Sequence, residues 1–269
     1  QRLLALDVLR GITIAGMILV NNPGSWSFVY APLGHAQWNG LTPTDLVFPF
    51  FMFIMGVSMY LSYSKFNFQF SGKTFVKLLR RSVLLFLIGL GIGWLSLSMR
   101  QFNVLDGSGL IWYERLWQSV SELGNLRILG VLQRLALVSF FGSLIILLFK
   151  PKQIPWLIAV ILVGYWLLIA FTGSYAENDS SIISMVDQSV LGISHMYTDH
   201  LPDGTSVVFD PEGILSTLPC IAHVLLGFWA GKLISETKVL GEKIQKLFIF
   251  GTILLFAGFL LDYGFPINK

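Results

Sequence analysis

His35 stands in a stretch dense with hydrogen-bonding side chains, Asn21, Asn22, Gln37, Asn39, Thr42, Thr44 and Asp45, between two apolar runs. Imidazole is the side chain best suited to take up and return a proton near neutrality. A loop histidine is also commonly just a solvated one, and His195 and His200, in a later polar segment, read that way. A second group is Arg127, Gln133 and Arg134, whose spacing of seven between the arginines would set two guanidinium groups along one side of a helix. Such a stripe suits an anionic ligand, because guanidinium binds phosphate oxygens in bidentate fashion. Asp7 and Arg10, three residues apart, would share a helix face as an ion pair or as part of a site. The run Asp210-Pro211-Glu212-Gly213 precedes an apolar stretch, where proline and carboxylates suit a helix N-terminus, so capping stands beside any chemical role.

The elements that must position these residues are membrane helices. Of the 269 residues, 54% are hydrophobic and 12% charged, and the mean hydropathy is +0.71, well outside the range of a soluble domain. About seven runs are long enough to cross an apolar core of roughly 30 Å. They are Leu3–Val20, Leu46–Tyr63, Ser82–Ser98, Ile128–Phe149, Ile154–Thr172, Gly213–Gly231 and Leu247–Tyr263. The expected fold is therefore all-α, a polytopic transmembrane helical bundle. No repeat or low-complexity linker divides it, so residues 1–269 are expected to form a single domain. The first run carries Asp7 and Arg10 and lacks a small-residue cleavage pattern, which reads as a span rather than a signal peptide. The lone Cys220 offers neither a disulfide framework nor a cysteine metal site, and no metal is expected.

Basic residues cluster between alternate spans: Lys65, Lys73, Lys77, Arg80 and Arg81, then Lys150 and Lys152, then Lys232, Lys238, Lys243 and Lys246. By the positive-inside rule these loops, and with them the N-terminus, are cytoplasmic. The net charge of +3 is thus a topology signal, and no nucleic-acid partner is expected. The segments 21–43 and 173–211 contain no Lys or Arg, and the second holds Glu177, Asp179, Asp187, Asp199, Asp203 and Asp210, which places both outside. Parity places 99–126 outside as well.

The run from His35 to Pro49, His-Ala-Gln-Trp-Asn-Gly-Leu-Thr-Pro-Thr-Asp-Leu-Val-Phe-Pro, resembles the signature of the heparan-alpha-glucosaminide N-acetyltransferase family and its bacterial relatives. It is joined by Leu6-Asp7-Val8-Leu9-Arg10-Gly11, Asn21-Asn22-Pro23-Gly24, the stretch from Arg127 to Arg134, and the stretch from Asp210 to Pro219, so the resemblance covers nearly the whole chain. It implies acetyl transfer from cytoplasmic acetyl-CoA, the co-substrate, to the amine of a glucosamine-type sugar on the far side of a bilayer. It also implies an integral protein of a bacterial inner membrane. The catalytic histidine carries over to His35, the asparagine after the first span to Asn21, with Asn22 beside it, and the acids to Asp210 and Glu212. Family members continue beyond Pro266-Ile267-Asn268-Lys269 to ten or eleven spans, so the resemblance implies a larger fold of which this chain is part.

On that footing, His35 either deprotonates the sugar amine in a ternary complex or attacks the thioester and carries the acetyl group itself. Asp45 could set its tautomer if the loop folds back, as carboxylates do in catalytic triads. Asn21 or Asn39 could serve the oxyanion. Asp210 and Glu212 would draw an ammonium-bearing sugar, and Arg10, Asn39, Arg127, Gln133 and Arg134 are expected to hold the cofactor. Lys73, Lys77, Arg80 and Arg81 are further candidates for its phosphates. A homodimer is the default oligomer. Two other classes compete: a transporter with an intramembrane Asp/Arg pathway, which would move solute without consuming acetyl-CoA, and a membrane O-acyltransferase, which would acylate a hydroxyl.

Overall fold

A computed structural model describes residues 3–200 and 204–268, so Asp203 and Lys269 lie outside the described residues. The helices are α1 (Leu4–Asn21), α2 (Val47–Tyr63), α3 (Gly72–Val104), α4 (Trp112–Ser121), α5 (Val131–Leu148), α6 (Ile154–Thr172), α7 (Ile182–Leu191), α8 (Thr217–Glu236) and α9 (Leu240–Asp262). The strands β1 (Thr198–His200) and β2 (Ser206–Val208) pair antiparallel. Among the described residues seven helices, all but α4 and α7, are long and apolar enough to cross a membrane.

The third span differs most from the sequence expectation of Ser82–Ser98. Its helix runs for 33 residues, roughly 50 Å by helical rise. Hydropathy marks only the apolar middle, while Lys73, Lys77, Arg80 and Arg81 are good helix formers that extend it outward. Ser71 starts it, accepting a hydrogen bond from Thr74 N at 3.2 Å. The fourth and sixth spans begin later than expected, at Val131 and Thr217. Their expected first turns are irregular chain whose backbone groups are used elsewhere, as Ile128 N is by His195 O at 3.1 Å.

The chain folds as two compact units, each built from separate stretches of sequence. One contains 1–70, 142–165 and 219–269. Its centre is α2 against α8, and glycine makes that approach close. A β-carbon on Gly56 would collide with the backbone of Val224 and Phe228, and one on Gly227 with the backbone of Phe53. Gly227 and Gly231 are four apart on α8, the small-residue spacing that lets membrane helices touch through their backbones. Leu6 of α1 packs with Ile54 and Val57, and Tyr63 Oη lies 2.8 Å from Ser143 Oγ of α5. Helix α9, by contrast, buries none of its apolar window among the described residues, although Phe250 packs edge-on against Trp229 of α8.

The other unit contains 71–141 and 166–218. Here α4 is tied to α3: Trp94 Nε1 donates to Val120 O at 3.0 Å, and Arg115 pairs with Asp106 at 2.6 Å while lying over the Phe102 ring. Helix α7 holds the hairpin through Ser184 Oγ, which donates to Val208 O at 2.7 Å.

Candidate functional site

The His35 loop leaves α1 at Asn21 and returns through short 3-10 turns at Ala31–Leu33 and Thr44–Leu46. Thr44, buried, donates from Oγ1 to Pro32 O at 3.2 Å. Thr42 Oγ1 lies between Gly34 O at 2.8 Å and Asp45 Oδ2 at 2.9 Å. These bonds bend residues 34–45 into a ring that puts Asp45 beside His35.

The Asp45 carboxylate is almost fully used. Its Oδ1 sits 2.6 Å from His35 Nδ1. Oδ2 accepts from Ala36 N at 3.1 Å and Thr42 N at 2.9 Å. Two backbone N–H groups therefore stabilise the charge, and the other oxygen faces the imidazole. A carboxylate at that distance accepts a hydrogen bond from Nδ1–H, which leaves the lone pair of a neutral ring on Nε2. The Asp45 side chain is 10% exposed and that of His35 53%, so a buried anion orients an accessible ring.

The remaining residues of this unit are engaged as follows. Asn21 and Asn22 turn their amides back on α1, donating to Met17 O at 2.9 Å and Ile18 O at 2.8 Å. Asn39, exposed, pairs through its backbone with Asn268, and Gly40 N donates to Ile267 O at 2.8 Å. Gly40 has φ +120°, a conformation open to glycine. Arg10 donates to Asp7 Oδ1 and Ser58 Oγ, each at 3.2 Å.

A second cluster lies in the other unit. Arg127 does not stand on the fourth span; it precedes α5 in irregular chain and donates to Asp210 Oδ2 at 3.1 Å, to Asp210 Oδ1 at 2.6 Å and to Glu212. Asp210 is fully buried; it also accepts from Tyr197 N at 3.2 Å and Glu212 N at 3.0 Å. The Arg127 guanidinium packs 4.9 Å over the Tyr197 ring. Burial works against its charge, but the bonds and attraction to Asp210 and Glu212 outweigh that and raise its pKa. Arg134, in the first turn of α5, donates to Pro211 O, Ser216 Oγ and, at 3.5 Å, Gly213 O. Gln133 is buried in the same turn, its amide seated against Gly89 and Gly130.

Residues 210–213 do not cap a helix, since α8 starts only at Thr217. They form a loop that two arginines hold, and residues expected to bind a cofactor stand next to the expected acids.

Asp187 of α7 escaped the sequence reading except as one acid among several. It is fully buried, its Oδ1 accepts from Ile214 N at 2.8 Å, and its Oδ2 has no partner. A β-carbon on Gly213 would fall on its carboxylate, which explains that glycine. Burial, with the nearby charge of Asp210, pushes its pKa up to about 6 against the Ile214 N–H and Arg134. The one available signal was an acid inside the otherwise apolar stretch Ile182–Leu191.

A third feature is a shallow hollow lined by Gly72, Lys73, Val76, Lys77 and Arg80 at the start of α3. The sequence has no Asp or Glu between Asp45 and Asp106 to offset these cations.

The chain is similar to known proteins over most of its length. The family profile described as "Heparan-alpha-glucosaminide N-acetyltransferase, catalytic" matches residues 2–259. Heparan-alpha-glucosaminide N-acetyltransferase of Homo sapiens is 31% identical over 284 aligned positions, covering 87% of this chain and 38% of the human protein. Its Mus musculus counterpart is 29% identical over 323 positions, covering all of this chain and 45% of the mouse protein. The chain thus spans less than half the length of these relatives.

Proposed function

Since the chain belongs to the heparan-alpha-glucosaminide N-acetyltransferase family, we propose that it is a membrane-embedded N-acetyltransferase, moving acetyl from cytoplasmic acetyl-CoA to the amine of a glucosamine-type sugar on the outer face. The observation that carries this reading is the 2.6 Å contact between His35 Nδ1 and an Asp45 carboxylate pinned by backbone N–H groups. A purely structural loop has no use for a buried acid that fixes the tautomer of an accessible imidazole.

The thioester is already activated, so catalysis consists of placing a neutral amine against the carbonyl carbon and stabilising the oxyanion. In the direct route the amine nitrogen bonds to that carbon while Nε2 of His35 takes the amine proton. The C–S bond then breaks, and the imidazolium returns the proton to the departing thiolate, giving the acetamide and free CoA. In the two-step route Nε2 itself attacks the carbonyl carbon and the C–S bond breaks, releasing the CoA thiolate and leaving the acetyl group on His35. The amine then attacks that carbon, the bond to Nε2 breaks to return the neutral ring, and the amine proton balances the charge of the released thiolate. Asp45 holds the ring in either case. Asn21 or Asn39 supplies the oxyanion donor. Glu212, more exposed than Asp210, receives the sugar ammonium, and Asp210 keeps Arg127 and the loop in place. Lys73, Lys77, Arg80 and Arg81 take the nucleotide phosphates as unoffset cations. Arg127 and Arg134 hold the 210–213 loop, and Arg10 holds Asp7 and Ser58.

Purified protein in proteoliposomes, given acetyl-labelled CoA and glucosamine, should form N-acetylglucosamine, and His35→Ala should cut the rate at least about 100-fold without unfolding. Acylation of a hydroxyl instead, or solute movement without acetyl-CoA consumption, would reject the reading. Acid-quenched enzyme carrying label without acceptor selects the two-step route.

A further inference from the structure

We propose that His195 is a positioning residue for Arg127, fixing that arginine from both flanks so that it can hold Asp210 and Glu212. This rests on the reading above, in which that cluster receives the acceptor.

The chain turns at Gly192, whose φ of +81° is open to glycine, and runs through the 3-10 turn Ile193–His195. His195 then grips the irregular chain around Arg127 twice. Its Nδ1 lies 2.8 Å from Leu126 O, on one side of Arg127, and its own carbonyl accepts from Ile128 N at 3.1 Å, on the other. A carbonyl only accepts, so Nδ1 carries the proton, and the ring donates to backbone whether neutral or charged. Two residues on, Tyr197 contributes its ring beneath the Arg127 guanidinium and its N–H to Asp210 Oδ2. One short segment therefore holds the arginine's backbone, its charged head and its principal acid.

The arrangement compensates for where Arg127 lies. In irregular chain before α5 it has no helical hydrogen bonds to fix it. Asp210, buried and paired, demands a guanidinium held in one place, since a buried carboxylate that loses its partner is strongly destabilised. Leu126 O and Ile128 N, which would otherwise be loose, are the groups that His195 engages.

The test uses His195→Ala, His195→Asn and His195→Gln, with Arg127→Ala as background. Asn places an amide N–H where Nδ1 stood, whereas Gln carries it one methylene further out. Hydrogen exchange of the peptide containing Ile128 reads the clamp without reference to activity, and acetyl-transfer kinetics read its use. His195→Ala should speed exchange at Ile128 at least about tenfold and raise KM for the amine acceptor about three- to tenfold, the factor one hydrogen bond typically contributes. His195→Asn should restore both, and His195→Gln should not. On the Arg127→Ala background His195→Ala should add nothing further, since the effect runs through that side chain.

Unchanged exchange in His195→Ala overturns the proposal, as does rescue by Gln rather than Asn. An equal further loss on the Arg127→Ala background does the same. If His195→Ala does not fold, the Asn and Gln variants decide alone. If wild-type protein transfers no acetyl group, the acetyltransferase reading fails while the exchange measurement still judges the clamp.

Discussion

Replacing Asp45 by asparagine isolates the acid's charge from its size. Asp45 offers two acceptor oxygens, one toward His35 Nδ1 at 2.6 Å and one toward the N–H groups of Ala36 and Thr42 at 3.1 and 2.9 Å. Asparagine offers one acceptor and one donor. With its NH2 toward Ala36 and Thr42 it would face two donors and forfeit two charge-assisted bonds, roughly 1.5–3 kcal/mol each. With its oxygen there instead, the loop keeps its shape and the NH2 points at Nδ1. The second orientation wins by several kcal/mol on those figures. The ring must then accept at Nδ1 and carry its proton on Nε2, which removes the lone pair that would meet the amine or the thioester. A wrong tautomer of this kind costs about 10⁴ in kcat where it has been isolated, or about 5.5 kcal/mol of barrier. The assay is acetyl transfer from acetyl-CoA to glucosamine in proteoliposomes, with the thermal midpoint measured on the same preparation. The expected result is that kcat collapses, KM stays within about twofold, and the midpoint shifts by only a few degrees. A folded Asp45→Asn protein that keeps its rate within about threefold of wild type would refute the reasoning.

Other consequences are equally open to measurement. Gly213→Ala should lower stability by about 1–3 kcal/mol in a thermal or denaturant melt, because the new methyl meets the Asp187 carboxylate; adding Asp187→Ala should recover part of that loss. Asp187, with a folded pKa of about 6 above an unfolded value of about 3.9, binds its proton more tightly when folded. Its contribution is therefore fully present below about pH 4 and lost as pH rises to about 6, worth on the order of 3 kcal/mol at most. Asp187→Asn should flatten that part of the stability profile. Gly227→Ala drives a methyl into the Phe53 backbone, and a loss of about 1–3 kcal/mol is expected in reversible unfolding in detergent micelles.

The transmembrane helices were legible because bilayer length and hydropathy act locally, and Ile154–Thr172 matches its expected bounds. The short helices α4 and α7 were not legible, since each is only ten residues and depends on neighbours rather than on an apolar run of spanning length. The pairing of His35 with Asp45 is legible as a spacing of ten in one loop, but whether the ring closes depends on Thr42 and Thr44 finding particular carbonyls. Arg127 with Asp210 was less accessible still, because 83 residues separate them. Reading Arg127 onto a helix, and Asp210 onto a cap, both came from treating each stretch by its own propensity when distant chain claims its hydrogen bonds.

Past the end of α9, residues 267 and 268 meet the His35 loop through an isolated bridge between Asn268 and Asn39 and a hydrogen bond from Gly40 N to Ile267 O. Asp262 Oδ1 accepts from Ile267 N at 2.6 Å and keeps that tether taut. Helix α9 spans 23 residues, roughly 35 Å, and a tilt of about 10° moves one end by roughly 6 Å relative to the other. The bridge at Asn268 joins that end of the helix to the imidazole loop through backbone groups rather than side chains. A displacement of the helix end would therefore bear first on Asn39 and Gly40, four and five residues from His35.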